Sequence, residues 1–390
     1  MAAMQRLLRM MAENKASDIY ISAHSPVLIK IRGETIPVNQ QVLSPESTLK
    51  LLREIVSAER IAELERTGEL NMAVPLEGVG RFRVSAMRQR GSYAVVVRYI
   101  PRDIPELSTL RLPPVLEDLA MERRGLILLV GATGSGKSTT IASMMDLRNR
   151  QASGHILTIE DPIEYEFTNR RSVVNQREVG SDTESLQTGL KNALRQAPDV
   201  IQIGEIRDRD TMSAALAYAQ SGHLCISTLH ANNSYHALNR ILSFYPVEVR
   251  PTMLGDLAAT LKAVISQRLL RAIDGERIPA VEVLLNTKLV SELIEAADFS
   301  GIRDAMQQSM SEGSQTFEES LAFMVGQGLI DRKEAFSYAD SPTNLMWRLQ
   351  NDFAMAANAA KARVQAAEEN NDEAPSFTEF TLDVREKEET

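Results

Sequence analysis

Eight consecutive residues have the types and the spacing of a phosphate-binding loop. They follow the pattern of a glycine, any four residues and then Gly-Lys-Ser, and they are Gly131, Ala132, Thr133, Gly134, Ser135, Gly136, Lys137 and Ser138. Glycines let the backbone curl so that several N–H groups face one point, where a helix N-terminus adds positive charge. In such loops the lysine reaches the β- and γ-phosphates and the serine binds Mg²⁺. We therefore predict that this loop, with Thr139, binds nucleotide phosphates. The alternative, an incidental glycine-rich turn, is disfavoured by the strand-like segment before it and the helix-like segment after it.

Carboxylates follow directly after a second apolar segment, residues 155–159. Glu160, Asp161 and Glu164 lie there, and the ends of strands in open α/β sheets face the ligand crevice. They could order Mg²⁺, its water shell or a basic residue of a neighbouring subunit. The alternative is a solvated acidic loop. Glu160 and Glu164 are candidate catalytic residues, and Asp161 is a candidate metal contact through water.

A third apolar segment, residues 199–203, ends at Gly204 and Glu205. Most phosphate-loop ATPases have an aspartate where this chain has Gly204. We predict that Glu205 polarises the attacking water, and that Mg²⁺ rests mainly on Ser138, phosphate oxygens and water. The alternative for Glu205 is an acid that caps a helix.

Two histidines, His223 and His230, bracket a fourth apolar segment that contains Thr228. An odd separation places them on opposite faces of a strand, so joint metal binding is not expected. His230 could contact the γ-phosphate or hydrogen-bond across a subunit boundary, and a structural role is as good an alternative from the sequence alone.

Arginines cluster near the end of the first hundred residues. One alternative is a solvated strand edge, and the other is an arginine finger that reaches a nucleotide, which contributes roughly 10³–10⁵ in rate elsewhere. Alternation places Arg81 and Arg83 on one face of their strand. The cluster consists of Arg81, Arg83, Arg88 and Arg90, with Arg98 on the next predicted strand.

The elements that must position these residues change in character along the chain. Residues 1–100 combine predicted helices and hairpin strands in a small α+β domain, and prolines mark a linker over 101–115. Strands and helices then alternate, which implies a mostly parallel sheet covered by helices in a domain over 116–349. The predicted strands are 125–130, 155–159, 199–203, 223–228 and 280–285. The predicted helices are 138–150, 185–196, 209–221, 233–243, 252–270, 287–297, 301–312, 316–327 and 331–337.

Composition narrows the setting of the protein. At 390 residues two domains are expected, and no apolar run approaches the length of a transmembrane helix. The single Cys225 excludes an internal disulfide and a four-cysteine zinc site, which fits a reducing cytoplasm. The net charge of −9 argues against nucleic acid as a main partner. Residues 350–390 are acidic and polar, and we predict a disordered tail.

The four motifs, in this order and spacing, resemble those of the secretion ATPase superfamily that drives type II secretion and type IV pili. Residues 131–138 match its Walker A box, 158–165 its Asp box, 199–207 its atypical Walker B box and 222–230 its His box. The resemblance covers about residues 5–345. It implies an α/β, RecA-like ATPase domain preceded by a small α+β, PAS-like domain.

The resemblance also implies partners and cofactors. Members form hexameric rings that hydrolyse ATP with Mg²⁺. The N-terminal domain of one subunit packs on the ATPase domain of the next, and the nucleotide lies at their junction. In this setting Arg83 and Arg98 become the candidate arginine fingers.

Two features resemble one branch, the pilus retraction ATPases PilT and PilU. The N-terminal domain is short and the four-cysteine motif of extension and secretion members is missing. Principal retraction motors carry an Ala-Ile-Arg signature where residues 286–294 read Asn-Thr-Lys-Leu-Val-Ser-Glu-Leu-Ile, and the acidic extension also resembles PilU. The expectation is an accessory ATPase of twitching motility, cytoplasmic at the inner-membrane face, that works with a PilT-like motor and a membrane platform protein. The alternatives are a nucleotide-binding scaffold whose hydrolysis is dispensable, an extension or type II secretion ATPase, and a nucleic-acid translocase.

Overall fold

A computed structural model describes residues 2–31, 34–100, 103–308 and 311–351. The predicted acidic tail lies outside these residues except for its first two positions. By contacts the chain divides into two compact units. The first comprises Met1–Leu269 and Ile278–Thr316, and the second comprises Leu270–Arg277 and the described residues from Phe317 onward.

The N-terminal part of the first unit is built on a six-stranded sheet in the order β3-β2-β1-β6-β5-β4. All five neighbouring strand pairs of this sheet are antiparallel. The sheet is hydrophobic on one face because residues alternate along each strand, and Phe82, Val84 and Ala86 are buried while Arg81 and Arg83 point the other way. The elements are α1 (Ala3–Glu13), β1 (Asp18–Ser22), β2 (Leu28–Ile31), β3 (Glu34–Pro37), α2 (Pro45–Arg53), α3 (Ala58–Thr67), β4 (Glu69–Leu76), β5 (Gly80–Gln89) and β6 (Ser92–Ile100).

A second sheet has seven strands in the order β13-β12-β7-β11-β10-β8-β9. The pairs from β12 through β9 are parallel. Strands β7, β10 and β11 are buried along their whole length, as expected for parallel strands with helices on both faces. The mostly parallel sheet and the preceding antiparallel one confirm the predicted fold class.

The second sheet and its helices follow in chain order. They are α4 (Val115–Met121), β7 (Gly125–Val130), α5 (Lys137–Gln151), β8 (Gly154–Glu160), β9 (Ser172–Glu178), α6 (Leu186–Ala193), β10 (Val200–Ile203), α7 (Arg209–Gln220), β11 (Leu224–Leu229), α8 (Ser234–Ser243), α9 (Arg250–Thr260), β12 (Leu261–Arg271), β13 (Arg277–Leu285), α10 (Lys288–Glu295) and α11 (Ile302–Gln308).

One sequence prediction is wrong in type. The helix expected over 252–270 ends at Thr260, and the chain continues at once as strand β12. Residues 261–271 mix apolar and polar side chains without a clear strand alternation, so periodicity alone does not separate them from the preceding helix. Pairing with β7 decides for a strand, and the β-branched Val264 and Ile265 suit it. Strands β3, β4 and β9 were also absent from the prediction.

In the second unit, helices α12 (Phe317–Gly326) and α13 (Arg332–Tyr338) lie where helices were expected. The turn that contains Ile273 is fixed within this unit, because its N–H donates to the Leu329 carbonyl at 2.9 Å. No described helix is both long and apolar enough to cross a membrane.

Candidate active site

The predicted phosphate loop lies between β7 and α5, and its glycines are required by the contacts of the loop. Gly131 and Gly136 have φ of 152° and 91°, values that side-chain-bearing residues rarely adopt. A Cβ on Gly131 would lie 2.5 Å from both the Gln267 carbonyl and Ser135 Oγ, and one on Gly136 would lie 2.7 Å from Gln267 Nε2. Gln267 belongs to β12, so this strand shapes the loop.

Lys137 folds back over the loop. Its buried ammonium donates to the carbonyl oxygens of Gly131 and Ala132 at 2.8 and 2.9 Å. Burial lowers the pKa of Lys137, and the negative charges of Glu205 and Glu164 oppose that shift. Two neutral carbonyls are weak partners for a buried cation, so an anion near the loop would be a stronger one.

A second polar group of the loop is less well satisfied than Lys137. The Ser135 hydroxyl is buried and makes no hydrogen bond with a residue that the structure describes. Buried hydroxyls are normally satisfied, and a ligand that brings acceptor oxygens to the loop would satisfy this one. Together with the Lys137 ammonium, it supports a phosphate-type anion as the ligand.

Residues 160–167 at the end of β8 form the carboxylate loop, and of its three predicted site acids one is buried and two are exposed. Glu160 is 7% exposed and accepts hydrogen bonds from Thr158 Oγ1 at 2.7 Å and Gln176 Nε2 at 3.2 Å. Burial raises the pKa of Glu160 to about 7, although these hydrogen bonds oppose the shift. Asp161 and Glu164 are exposed, which leaves their oxygens open to a hydrated ion.

Tyr165 connects the carboxylate loop to the helix that follows the phosphate loop. Its hydroxyl lies 2.9 Å from Thr139 Oγ1 on α5, and its carbonyl accepts from Gln176 Nε2 at 2.7 Å. Burial raises the pKa of Tyr165, so the phenol stays protonated at neutral pH. Tyr165 therefore connects the carboxylate loop to the first turn of α5.

Glu205 lies at the end of β10 with both carboxylate oxygens engaged. Oε1 is 3.2 Å from His230 Nε2, and Oε2 is 2.9 Å from Arg207 Nε. The preceding Gly204 is packed against β8, since a Cβ there would lie 3.3 Å from both the Ile159 carbonyl and the Glu160 Cα. An aspartate at this position would crowd that backbone, which gives a physical reason for the glycine.

The two histidines lie at opposite ends of β11 and have different partners. His223 Nδ1 lies 3.0 Å from Ser221 Oγ, whereas His230 contacts Glu205. Among the described residues no group of three or more His, Cys, Asp and Glu could hold a metal ion. The structure therefore gives His230 a partner within its own chain.

The predicted arginines separate into three environments. Arg83 and Arg98 face each other across β5 and β6. Arg98 Nε donates to the buried Asp18 at 2.9 Å, whereas the Arg83 side chain makes no hydrogen bond or ion pair with any residue that the structure describes. Arg81 pairs with Glu178 at 2.9 Å and with Glu166 at 3.4 Å.

These groups surround one cavity of about 930 Å³. Its wall brings together the phosphate loop, the three loop carboxylates, Glu205, His230, Arg83 and Arg98. Lys137 and Glu205 thus line the same cavity. The cavity is large enough for a nucleoside triphosphate and a hydrated ion.

The oxygen donors of this cavity fit magnesium. Mg²⁺ is usually held by one or two protein oxygens together with phosphates and waters, and not by an all-protein cage. The Ser138 hydroxyl and the exposed Asp161 carboxylate line the cavity, and both are hard oxygen donors.

Sequence reasoning missed several residues of the site. Gln176 and Gln267 come from strands β9 and β12, which were not predicted. Gln202 lies within the apolar strand β10, where its buried Oε1 has no hydrogen-bond partner. A polar residue in the middle of an otherwise apolar strand was the one available signal.

Comparisons with known proteins agree with this geometry. The sequence profile described as "Type II/IV secretion system protein" matches residues 2–280. This chain belongs to that family. It is 44% identical over 342 residues to the "Type IV pilus ATPase PilU" of Pseudomonas aeruginosa, covering 87% of this chain and 90% of the relative.

Two further family members are similar over nearly their whole length. The PilT retraction ATPase of Pseudomonas aeruginosa is 36% identical over 338 residues, covering 87% of this chain and 98% of the relative. The crystal structure of the pilus retraction motor PilT with bound ADP matches with a TM-score of 0.82 at 39% identity, covering 88% of this chain and 98% of PilT. The expected retraction branch of the family is confirmed.

Proposed function

We propose that this chain is an ATP-hydrolysing motor of type IV pilus retraction, and that it is the accessory, PilU-like member that acts with a principal PilT-type motor. The observation that carries the proposal is the single cavity shared by Lys137 and Glu205. The identity to PilU and the fold similarity to PilT support the assignment to pilus retraction.

The residues of the cavity suggest a division of labour. Backbone N–H groups of residues 131–138 and the N-terminus of α5 hold the phosphates. Lys137 leaves the carbonyl oxygens of the loop and turns to the phosphates. Glu205 orients the attacking water in the same cavity, and His230 keeps the carboxylate aligned through the 3.2 Å contact.

Magnesium would be held by Ser138 directly and by Asp161 through water. When bound, it neutralises charge on the phosphate oxygens. Glu160 and Glu164 remain close enough to hydrogen-bond water in the same cavity.

Arg83 could contact a bound nucleotide, because it lines the cavity of the phosphate loop. It is a cation at the wall of the cavity with no partner among the described residues, which suits a group that stabilises charge on a phosphate. We propose a homo-hexamer, in which head-to-tail contacts close a ring. Rotation of the N-terminal domains would then act on an inner-membrane platform protein from the cytoplasmic side.

Pilus assays test the proposal in a host that lacks its own copy. The wild-type chain should restore twitching, and Lys137→Ala and Glu205→Gln should not. Arg53→Gln serves as a control because Arg53 forms an exposed ion pair with Glu65. Full activity of Glu205→Gln would instead support the scaffold function.

Surface pili distinguish retraction from extension. Loss of a retraction ATPase leaves pili on the cell surface, whereas loss of an extension ATPase removes them. Deletion of the principal PilT-type motor should abolish twitching even when this chain is present. Twitching without that motor would contradict the accessory role.

A further inference from the structure

A short turn after β9 contacts both the N-terminal sheet and the carboxylate loop. Glu178, the last residue of β9, begins this turn, and its side chain is 4% exposed. A buried carboxylate is stable only when its oxygens are paired. Its partners come from two different parts of the molecule.

One carboxylate oxygen of Glu178 accepts hydrogen bonds from both the N-terminal sheet and the carboxylate loop. Oε2 accepts from Arg81 Nη2 at 2.9 Å and from the backbone N–H of Ile163 at 3.1 Å. Arg81 lies on β5 of the N-terminal sheet, and Ile163 lies within the carboxylate loop between Glu160 and Glu164. A change in the position of Arg81 therefore alters the hydrogen bond between the Ile163 N–H and the Glu178 carboxylate.

Two further contacts strengthen the connection. Arg81 Nη1 lies 3.4 Å from Glu166, at the far end of the carboxylate loop. Arg60 Nη2, on α3, donates to the Gly180 carbonyl in the turn at 3.4 Å. The N-terminal part thus contacts the turn from a strand and from a helix.

We propose that Glu178 and Arg81 are positioning residues. They couple the position of the N-terminal domain to the conformation of the carboxylate loop. When the domain sits as in this structure, Arg81 and Ile163 share the Glu178 carboxylate, and Glu160 and Glu164 face the phosphate loop. When the domain moves away, Glu178 loses its cation and the loop relaxes. The proposal rests on the proposed ATPase function and names the contact through which domain movement and hydrolysis communicate.

Arg81→Gln tests the coupling in the full-length protein, with Arg53→Gln as the matched control. Like Arg81, Arg53 forms an ion pair with a glutamate, but its partner Glu65 lies in the N-terminal part and both side chains are exposed. We expect Arg81→Gln to lower kcat for MgATP about ten-fold with KM changed less than about two-fold, because the carboxylate loop is misplaced and not the phosphate loop. Arg81→Lys should recover part of kcat, because it restores the cation.

Amide hydrogen exchange supplies a readout that does not need turnover. In Arg81→Gln, exchange in residues 160–167 should be faster than in the wild type, and in Arg53→Gln it should not change. Unchanged exchange in Arg81→Gln would overturn the coupling, as would equal losses of kcat in the two glutamine variants. Absence of turnover in the wild type would count against the proposed function, and the exchange result would still decide the coupling.

Discussion

At the scale of single residues, the site contains charged side chains of two kinds. Some have only neutral hydrogen-bond partners, and others divide their oxygens between two partners. Lys137 rests on two neutral carbonyls, and the Glu205 carboxylate is divided between His230 and Arg207. Glu160 is buried beside neutral donors only. An anion and a metal ion bound in the cavity would therefore change the electrostatic interactions of all three side chains.

The buried carboxyl of Glu160 makes stability depend on pH. Its pKa is raised from 4.5 to about 7 in the folded chain, so the folded state binds more protons than the unfolded state between these values. Stability from this group is full below about pH 4.5 and is lost as the pH rises through about 7, a change of about 3 kcal/mol.

Glu160→Gln should remove this dependence. Urea unfolding of the nucleotide-free protein should show the variant gaining stability relative to the wild type as the pH rises from 5 to 8. Glu164→Gln, at an exposed position of the same loop, controls for the loss of one charge. A difference between wild type and Glu160→Gln that is the same at pH 5 and pH 8 would contradict the burial argument.

Arg83 and Arg98 should respond differently to truncation. Arg83→Ala should change the free energy of unfolding by less than about 0.5 kcal/mol, since it has no partner to lose. Arg98→Ala leaves the buried Asp18 without its cation, and should cost about 1 kcal/mol. Turnover should fall in Arg83→Ala, and the two effects are measured by denaturation and by steady-state kinetics. Unchanged turnover in Arg83→Ala would exclude it as the finger.

At the scale of elements, two of the strands that sequence reasoning missed, β9 and β12, carry the supporting side chains of the site. The motif residues follow apolar strands with clear ends, so β7, β8, β10 and β11 could be predicted with their loops. Strand β9 lies at the edge of the sheet and has only two apolar residues, Val173 and Val174, and β12 directly continues a helix. Gln176, Glu178 and Gln267 are therefore set by tertiary pairing, which no local pattern shows.

Tyr165 tests the connection between the two loops. Tyr165→Phe removes only the hydroxyl that meets Thr139, and should lower the free energy of unfolding by about 1 kcal/mol. Tyr235→Phe is the control, since Tyr235 is 42% exposed and its hydroxyl has no hydrogen bond with a described residue. Equal unfolding midpoints for the two variants would show that the bond does not hold the loops together.

At the scale of the whole molecule, the proposed ring ATPase should hydrolyse ATP only when its subunits assemble. The chain supplies the phosphate loop and Glu205 from one unit, and Arg83 lines the same cavity without a partner among the described residues. In a ring, the site would be completed by contacts between subunits. Activity per subunit should then depend on the concentration of the protein.

The most direct test is MgATP turnover by the purified chain across protein concentration, beside Lys137→Ala and Glu205→Gln. The account predicts turnover per subunit that rises as the ring assembles. It predicts that Lys137→Ala loses nucleotide binding, and that Glu205→Gln keeps binding but loses about 10² or more in kcat. Turnover that survives in Glu205→Gln, or that does not depend on assembly, would contradict a ring ATPase with Glu205 as its water-orienting carboxylate.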